Sequence, residues 1–376
     1  MAWNAAAADS PSALAFPGAE GFGQFATGGR GGELVHVTSL ADAGTGSLRE
    51  AVSHAHRIVV FDVSGIIPLQ SNLAVSSDIS LLGQTAPGAG VVIYGRSVSF
   101  SGQHNVIVRF LRFREGIAGD RGKCAVNLSG GNTMIFDHCS IEWGRWDCLG
   151  LTQGSHDITF QHCILGEGVD PQRFGSLSDS VTNITYTHNL WINNQSRNPK
   201  AKGRIQYVNN VVCNWGVCGL VGGHSAGDHF LDAVGNYFIA GPKSGAHFTG
   251  EYKATDHVYQ RDNFADGNKN GQLDGRAVVP ADFGAGENAP TFVAAPTVGP
   301  LTNVKVEAAA AALAEVLATA GCSQQRDAVD ARLIAEVESY GKRGTIIHNE
   351  AEVGGIGDWK EIHAPANLAE LNLESR

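Results

Sequence analysis

A chain of 376 residues has ample material for a core, and its net charge of −10 sets aside a nucleic-acid partner while requiring any anionic ligand to meet a local cluster of Arg, Lys or metal. No stretch approaches eighteen apolar residues, so no membrane-spanning helix is expected. Only 17% of residues are charged while Gly reaches 48, a composition that suits many tight corners and does not suit a helical bundle.

The opening MAWNAAAADSPSA has no basic region followed by an apolar core and reads as a mature start; a secreted protein whose signal peptide is absent from this sequence is expected. Residues 16–36 are Gly-dense with spaced aromatics, and with no strand before them and no helix after they read as structural corners, not a dinucleotide loop. Ser47 and Glu50 form a capping-box signature, which predicts a short helix covering the N-terminal end of the strands beyond it. The string IVVFDV at 58–63 reads as the first strand, and QTAPGAG at 84–90 as a Pro/Gly corner.

The centre of the chain repeats. MIFDHC at 134, ITFQHC at 158, ITYTHN at 184 and IQYVNN at 205 each alternate apolar and polar residues with the period of a strand. Adding Ile79, Val106 and Leu231 gives anchors separated by 27, 28, 24, 26, 21 and 26 residues. A unit of that length, variable and without helical stretches, fits one coil of a parallel β-solenoid. Five residues after the last five anchors stand Cys139, Cys163, Asn189, Asn210 and Asn236, which predicts an amide ladder at a corner. His138, His162 and His188 share another slot and read as stacked structural imidazoles. Of the seven cysteines, Cys139 with Cys163 suits a disulfide or a thiol stack; Cys124 and Cys148 have the same 24-residue spacing, Cys213 and Cys218 could close a small loop, and Cys322 is left over.

Counted from the ladder slot, Asp120, Asp147, Arg173 and Arg197 fall on one side of four consecutive coils. At about 4.8 Å per coil they would line a groove on the order of 15 Å long, two carboxylates followed by two guanidiniums. Further on, Asp266, Asn268, Asn270 and Asp274 around Gly271 resemble the first half of a calcium loop, although Ala277 stands where an EF-hand has Glu; a second cation site and a plain Asn/Gly turn are both open. Residues 285–303 read as linker, 304–320 as a helix and 327–339 as a second helix or a helix and turn. The expected division is a solenoid with its N-terminal cap over 1–300 and a helical and extended segment over 301–376 packed on it.

GSLREAV at 46–52, GQTAPG at 83–88, FDHCS at 136–140, ITYTHNLWINNQSRNPKAK at 184–202 and YVNN at 207–210 resemble the pectate lyases of polysaccharide lyase family one, and DAVDAR at 327–332 is similar to them too. The resemblance implies a right-handed parallel β-helix. It implies Arg197 as catalytic residue, from an Arg-x-Pro-x-x-Arg motif whose second Arg is Lys202 here. It implies Asp120 and Asp147 as calcium ligands, with Trp143 where a third ligand, Glu, is expected; Glu142 and Asp170 are the substitutes considered. Arg173 and Lys202 would bind substrate carboxylates.

The implied chemistry is β-elimination on a uronate polymer, polygalacturonate foremost among plant and algal polysaccharides. Calcium would stabilise the charge that builds on the carboxylate when the α proton leaves. Arg197 would take the proton. A guanidinium normally stays protonated, and crowding by positive charge favours its neutral form, so an alkaline optimum is expected. A monomer is expected. The rivals are a β-helical glycoside hydrolase, which needs paired carboxylates such as Asp147 and Asp170, a lyase acting on methylated pectin or another polyuronate, and a non-catalytic polysaccharide-binding protein. Trp143, Trp146 and Trp191 are open between a sugar-lining and a core role.

Overall fold

The computed structural model describes residues 13–371, so the N-terminal start, up to residue 12, lies outside the described residues. The chain winds into a right-handed parallel β-solenoid. Each anchor stands opposite the next in a parallel ladder: Ile79 with Val106, then Met134, Ile158, Ile184, Ile205 and Leu231. Period-two alternation sends Met134, Phe136, Ile158, Phe160, Ile184 and Tyr186 into one continuous core. The alternate positions do not face water, as the pattern alone suggests. Residues near 15–26 run across them: the backbone N–H of Gly23 donates to Thr159 Oγ1 and that of Glu20 to Gln161 Oε1. Gly23 is required by closeness, since a Cβ there would lie 2.0 Å from the Met134 carbonyl oxygen.

The amide ladder is present and one rung longer than the repeat indicates. Asn189 Nδ2 donates to Asn210 Oδ1 (3.0 Å), Asn210 to Asn236 (3.2 Å) and Asn236 to Asn263 (2.9 Å), all buried. One residue earlier in each coil, the rings of Phe110, His138, His162 and His188 stack with centroids 4.6, 4.8 and 5.2 Å apart, close to the coil rise. All seven cysteines are free thiols, so Cys139 and Cys163 stack without a disulfide.

A four-residue helix, α1 (Leu48–Ala51), is capped by Ser47 Oγ and buries Leu48 and Ala51 at the N-terminal end of the core. A second ladder, which includes Arg112–Arg114, Ser140–Glu142, Ile164–Gly166 and Leu190–Ile192, is covered by α2 (Ala309–Thr319) and α3 (Ala328–Val337). Helix α2 starts later than composition predicts because the preceding residues are held extended: Glu307 N–H donates to Asn209 Oδ1, and Val304 is buried against Val208 and Val234. Helix α3 is fixed through ions. Arg114, fully buried, bonds Glu142 of the neighbouring strand and both Asp327 and Asp330 of DAVDAR, and Arg112 lies against the same two aspartates. The third ladder carries Val126–Ser129, Asp147–Thr152, Phe174–Thr187 and Lys200–Val208, and the site lies along it.

Candidate active site

Asp147 opens its strand and pairs in register with Phe174, which bridges in turn to Ser196. That stacking delivers Arg197 to Asp147. Its Nη1 donates to both carboxylate oxygens at 3.2 Å, while its guanidinium carbon lies 4.1 Å from the centre of the Phe174 ring. Arg197 has φ +64°, as do residues at many corners here, so its conformation alone is no mark of function. It is locked by its neighbours. Ser176 N–H donates to the Arg197 carbonyl (2.7 Å), Asn198 N–H to Gly219 (3.0 Å), and Asn194 Nδ2 to Asn198 Oδ1 (2.9 Å). Asp147 is 1% exposed, and burial pushes its carboxyl up to about 6 against the opposing pull of Arg197.

The other cations along this face are paired too. Arg173 lies 3.4 Å from Asp170, Lys202 2.8 Å from Asp179 and Lys200 3.4 Å from Glu251. Positive and negative charge are therefore interleaved, with Arg173, Arg197, Lys200 and Lys202 each facing a carboxylate. Lys200, unmarked by the repeat, lines a cavity of about 220 Å³ with Phe174, Arg197 and Glu251, and a second of about 540 Å³ shares Val217 and Glu251 with it. The two cavities are neighbours, with Val217 and Glu251 lining both. Trp143 and Trp191 are core residues, whereas Trp146, beside Asp147, is 37% exposed.

No protein-family model matches the chain. The probable pectate lyase C of Aspergillus fumigatus is 42% identical over 349 residues, 92% of this chain and 81% of the relative. The protein of the same name from Aspergillus flavus is 40% identical over 357 residues, covering 94% and 84%. This chain belongs to the pectate lyase family. Among solved structures, a thermostable pectate lyase superposes with TM-score 0.59 at 14% identity, covering 85% of this chain and all of that one. A pectate lyase from Bacillus sp. N165 in complex with trigalacturonate gives TM-score 0.55 at 15% identity, over 81% and 98%. These two share the fold.

In this pectate lyase the carboxylates around Asp147 differ from the pattern the resemblance implies. Trp143 turns away into the helix-covered cluster and donates its Nε1–H to Glu167 (3.2 Å). Glu142 is buried on the second ladder against Arg114. Asp170 is at the surface with Arg173 and His348 (3.1 Å). Asp120 is exposed in the loop before Cys124. One carboxylate that sequence reasoning missed lies beside it: Glu115, fully buried, accepts from Arg145 N–H at 3.0 Å through Oε2. Burial pushes Glu115 up to about 8, with backbone hydrogen bonds from Arg145 and Asp120 pulling it down.

The loop with Asp266, Asn268, Asn270 and Asp274 closes on itself, both Asn amides donating to Asp274 (2.6 and 2.9 Å). Elsewhere, His188, Glu307 and Glu315 place ligand atoms within 4.8 Å of one another, but the Lys305 ammonium already bonds both carboxylates, at 2.9 and 2.7 Å.

Proposed function

We propose that this polysaccharide lyase cleaves polygalacturonate-type chains by β-elimination, with Arg197 as the base and Arg173 and Lys202 binding substrate carboxylates. The observation that carries the reading is Arg197 held between Asp147 and the Phe174 ring, where it lines a surface cavity with Lys200 and Glu251. Asp120 and Asp147 would hold calcium, an oxygen-seeking cation suited to carboxylates. When bound, it would stabilise negative charge on the substrate carboxylate as the α proton leaves. The remaining work falls to side chains: Phe174 and Asp147 orient the guanidinium, and the exposed Trp146 offers an aromatic face to a sugar ring.

The hydrolase alternative draws no support from the carboxylates. Asp147 is bonded to Arg197 and Asp170 to Arg173 and His348, which leaves no matched acid and base. Within this reading the solenoid up to residue 300 performs the chemistry and residues 301–376 brace it, and the enzyme acts as a secreted monomer. The loop with Asp266, Asn268, Asn270 and Asp274 would be a second calcium site, the cation displacing the Asn268 and Asn270 amides from Asp274.

The test is ultraviolet absorbance of the unsaturated uronate product on polygalacturonate, with calcium, with chelator, and with Arg197→Ala. A rise that requires calcium and drops about 10²–10⁴-fold in the variant is expected for loss of a positioned base. Growth of reducing ends without the chromophore would replace the lyase reading with a hydrolase.

A further inference from the structure

We infer that His348, on the C-terminal segment, is a positioning residue for substrate binding: by holding Asp170 it keeps that carboxylate from closing on Arg173, whose guanidinium is then free to take a carboxylate of the polymer. This rests on the reading above, in which Arg173 binds substrate. The first observation is a difference among the cations of this face. Arg197, Lys200 and Lys202 each donate a hydrogen bond to the carboxylate they face. Arg173 does not. Its Nε stands 3.4 Å from Asp170 Oδ1 as an ion pair only, and that Nε is buried with no hydrogen-bond partner. A buried N–H without an acceptor is costly and calls for one.

The second observation is where Asp170 is held instead. His348 Nδ1 lies 3.2 and 3.1 Å from the two carboxylate oxygens, and facing only acceptors it is the protonated, donating nitrogen. The backbone fixes the same pair: Asp170 N–H donates to the His348 carbonyl (2.9 Å), and Arg145 Nε to the Asp170 carbonyl (3.1 Å).

Neither partner is placed by chance. Ile347, before His348, is fully buried in the helix-covered cluster. Two residues after it, the Glu350 carboxylate accepts from Ile117 N–H (2.9 Å) and Tyr94 Oη–H (3.0 Å), which ties the segment to earlier coils. Arg173 is equally fixed at its backbone, where its carbonyl accepts from Gln195 N–H (2.6 Å) and its neighbour Phe174 lies against Arg197. What stays open is the partner of the guanidinium, and His348 biases that choice away from Asp170.

The experiment compares KM and kcat on polygalacturonate, read by the unsaturated product, in the parent, His348→Ala, His348→Asn, Asp170→Asn and the double variant His348→Ala with Asp170→Asn. The His348 side chain is 59% exposed, so its removal opens no cavity and the parent's melting temperature is expected to persist. An exposed ion pair freed to close on Arg173 is expected to raise KM about threefold to fivefold in His348→Ala with kcat nearly unchanged. His348→Asn, which keeps a donor, restores most of the affinity. Asp170→Asn removes the competitor, so KM falls to or below the parent's and adding His348→Ala then changes nothing. Polygalacturonate binding by calorimetry, with each variant made in the slow Arg197→Ala background, reads the same shifts without turnover. An unchanged KM in His348→Ala, the same rise with Asn at 170, or a raised KM in Asp170→Asn overturns the inference and leaves the lyase reading standing. A parent that forms no unsaturated product fails the lyase reading itself, while the calorimetric shifts still decide the role of His348.

Discussion

Replacing Arg114 by Met is the most informative single perturbation of the scaffold. The guanidinium is fully buried and bonds three carboxylates: Glu142 and Asp330, both 0% exposed, and Asp327, 7% exposed. Met fills a similar volume but leaves Arg112 as the one guanidinium facing Asp327 and Asp330, and none facing Glu142. Removing one partner from a buried ion pair costs about 3–5 kcal/mol, and with three anions uncovered the upper part of that range applies. For a chain of this length, unfolding entropy of about 0.8 kcal/mol per degree converts about 4 kcal/mol into a fall in Tm of about 5 °C. The loss also acquires a sign in pH. Burial already holds the Glu142 carboxyl well above its ordinary value against the pull of Arg114, and losing that guanidinium raises it further, so the folded variant holds a proton there that the unfolded chain releases, and its deficit grows as pH rises from 5 to 8. Thermal unfolding of parent and Arg114→Met across that range measures both effects. A drop under about 1 °C, or one that shrinks with rising pH, would refute the assignment of this cluster as the tie between α3 and the solenoid.

Asn210→Ala removes the acceptor of two Asn189 donors and the donors to the Tyr186 carbonyl and Asn236, leaving several buried groups unpaired. A loss of about 2–4 kcal/mol is expected, read by urea unfolding. His162, mostly buried between His138 and His188, is held down to about 3 by burial first and His138 second, against the opposing pull of Asp137 and Glu315. Its unfolded form takes up a proton near 6.5, so stability falls as pH drops from about 6.5 towards 3, by up to roughly 5 kcal/mol, and His162→Asn is expected to flatten that slope in acid unfolding. Trp146→Ala is expected to raise KM several-fold with kcat nearly unchanged; an equal fall in kcat would place Trp146 in the chemical step instead.

The solenoid was legible because its signal is periodic. Seven anchors read from apolar alternation all fall into register, and three aligned Asn announce a ladder whose last rung, Asn263, the repeat count stopped short of. Strands tolerate insertions at corners, so irregular spacing did not hide the coil. Helix α2 was legible in composition but not in its start, which is decided by tertiary bonds to Asn209. At the site, a count along the chain located Asp147 and Arg197 on one face but could not foresee their direct pairing, because the two sit at positions offset by one residue across the Phe174 coil. Glu115 escaped for another reason. It lies at the end of a strand in a coil that shares no motif with its neighbours, and only the column through Trp143 reveals it.

The pairing of Arg173, Arg197, Lys200 and Lys202 with carboxylates has a consequence that depends on burial. A polyanionic substrate that recruits Arg173, Lys202 or Lys200 displaces Asp170, Asp179 or Glu251, whose side chains are 43%, 34% and 43% exposed. Each of those carboxylates can return to water, so the exchange replaces one exposed ion pair by another and costs little. Asp147 is different, with a side chain only 1% exposed. If Arg197 leaves it to act on a sugar, the Asp147 carboxylate stays in the protein, and an uncompensated buried charge costs several kcal/mol. Two remedies exist: another cation, or a proton, which burial favours up to about pH 6 with Arg197 in place and to higher pH once its opposing charge has left. The residue that orients Arg197 is therefore also the one whose protonation decides what the departure of Arg197 costs.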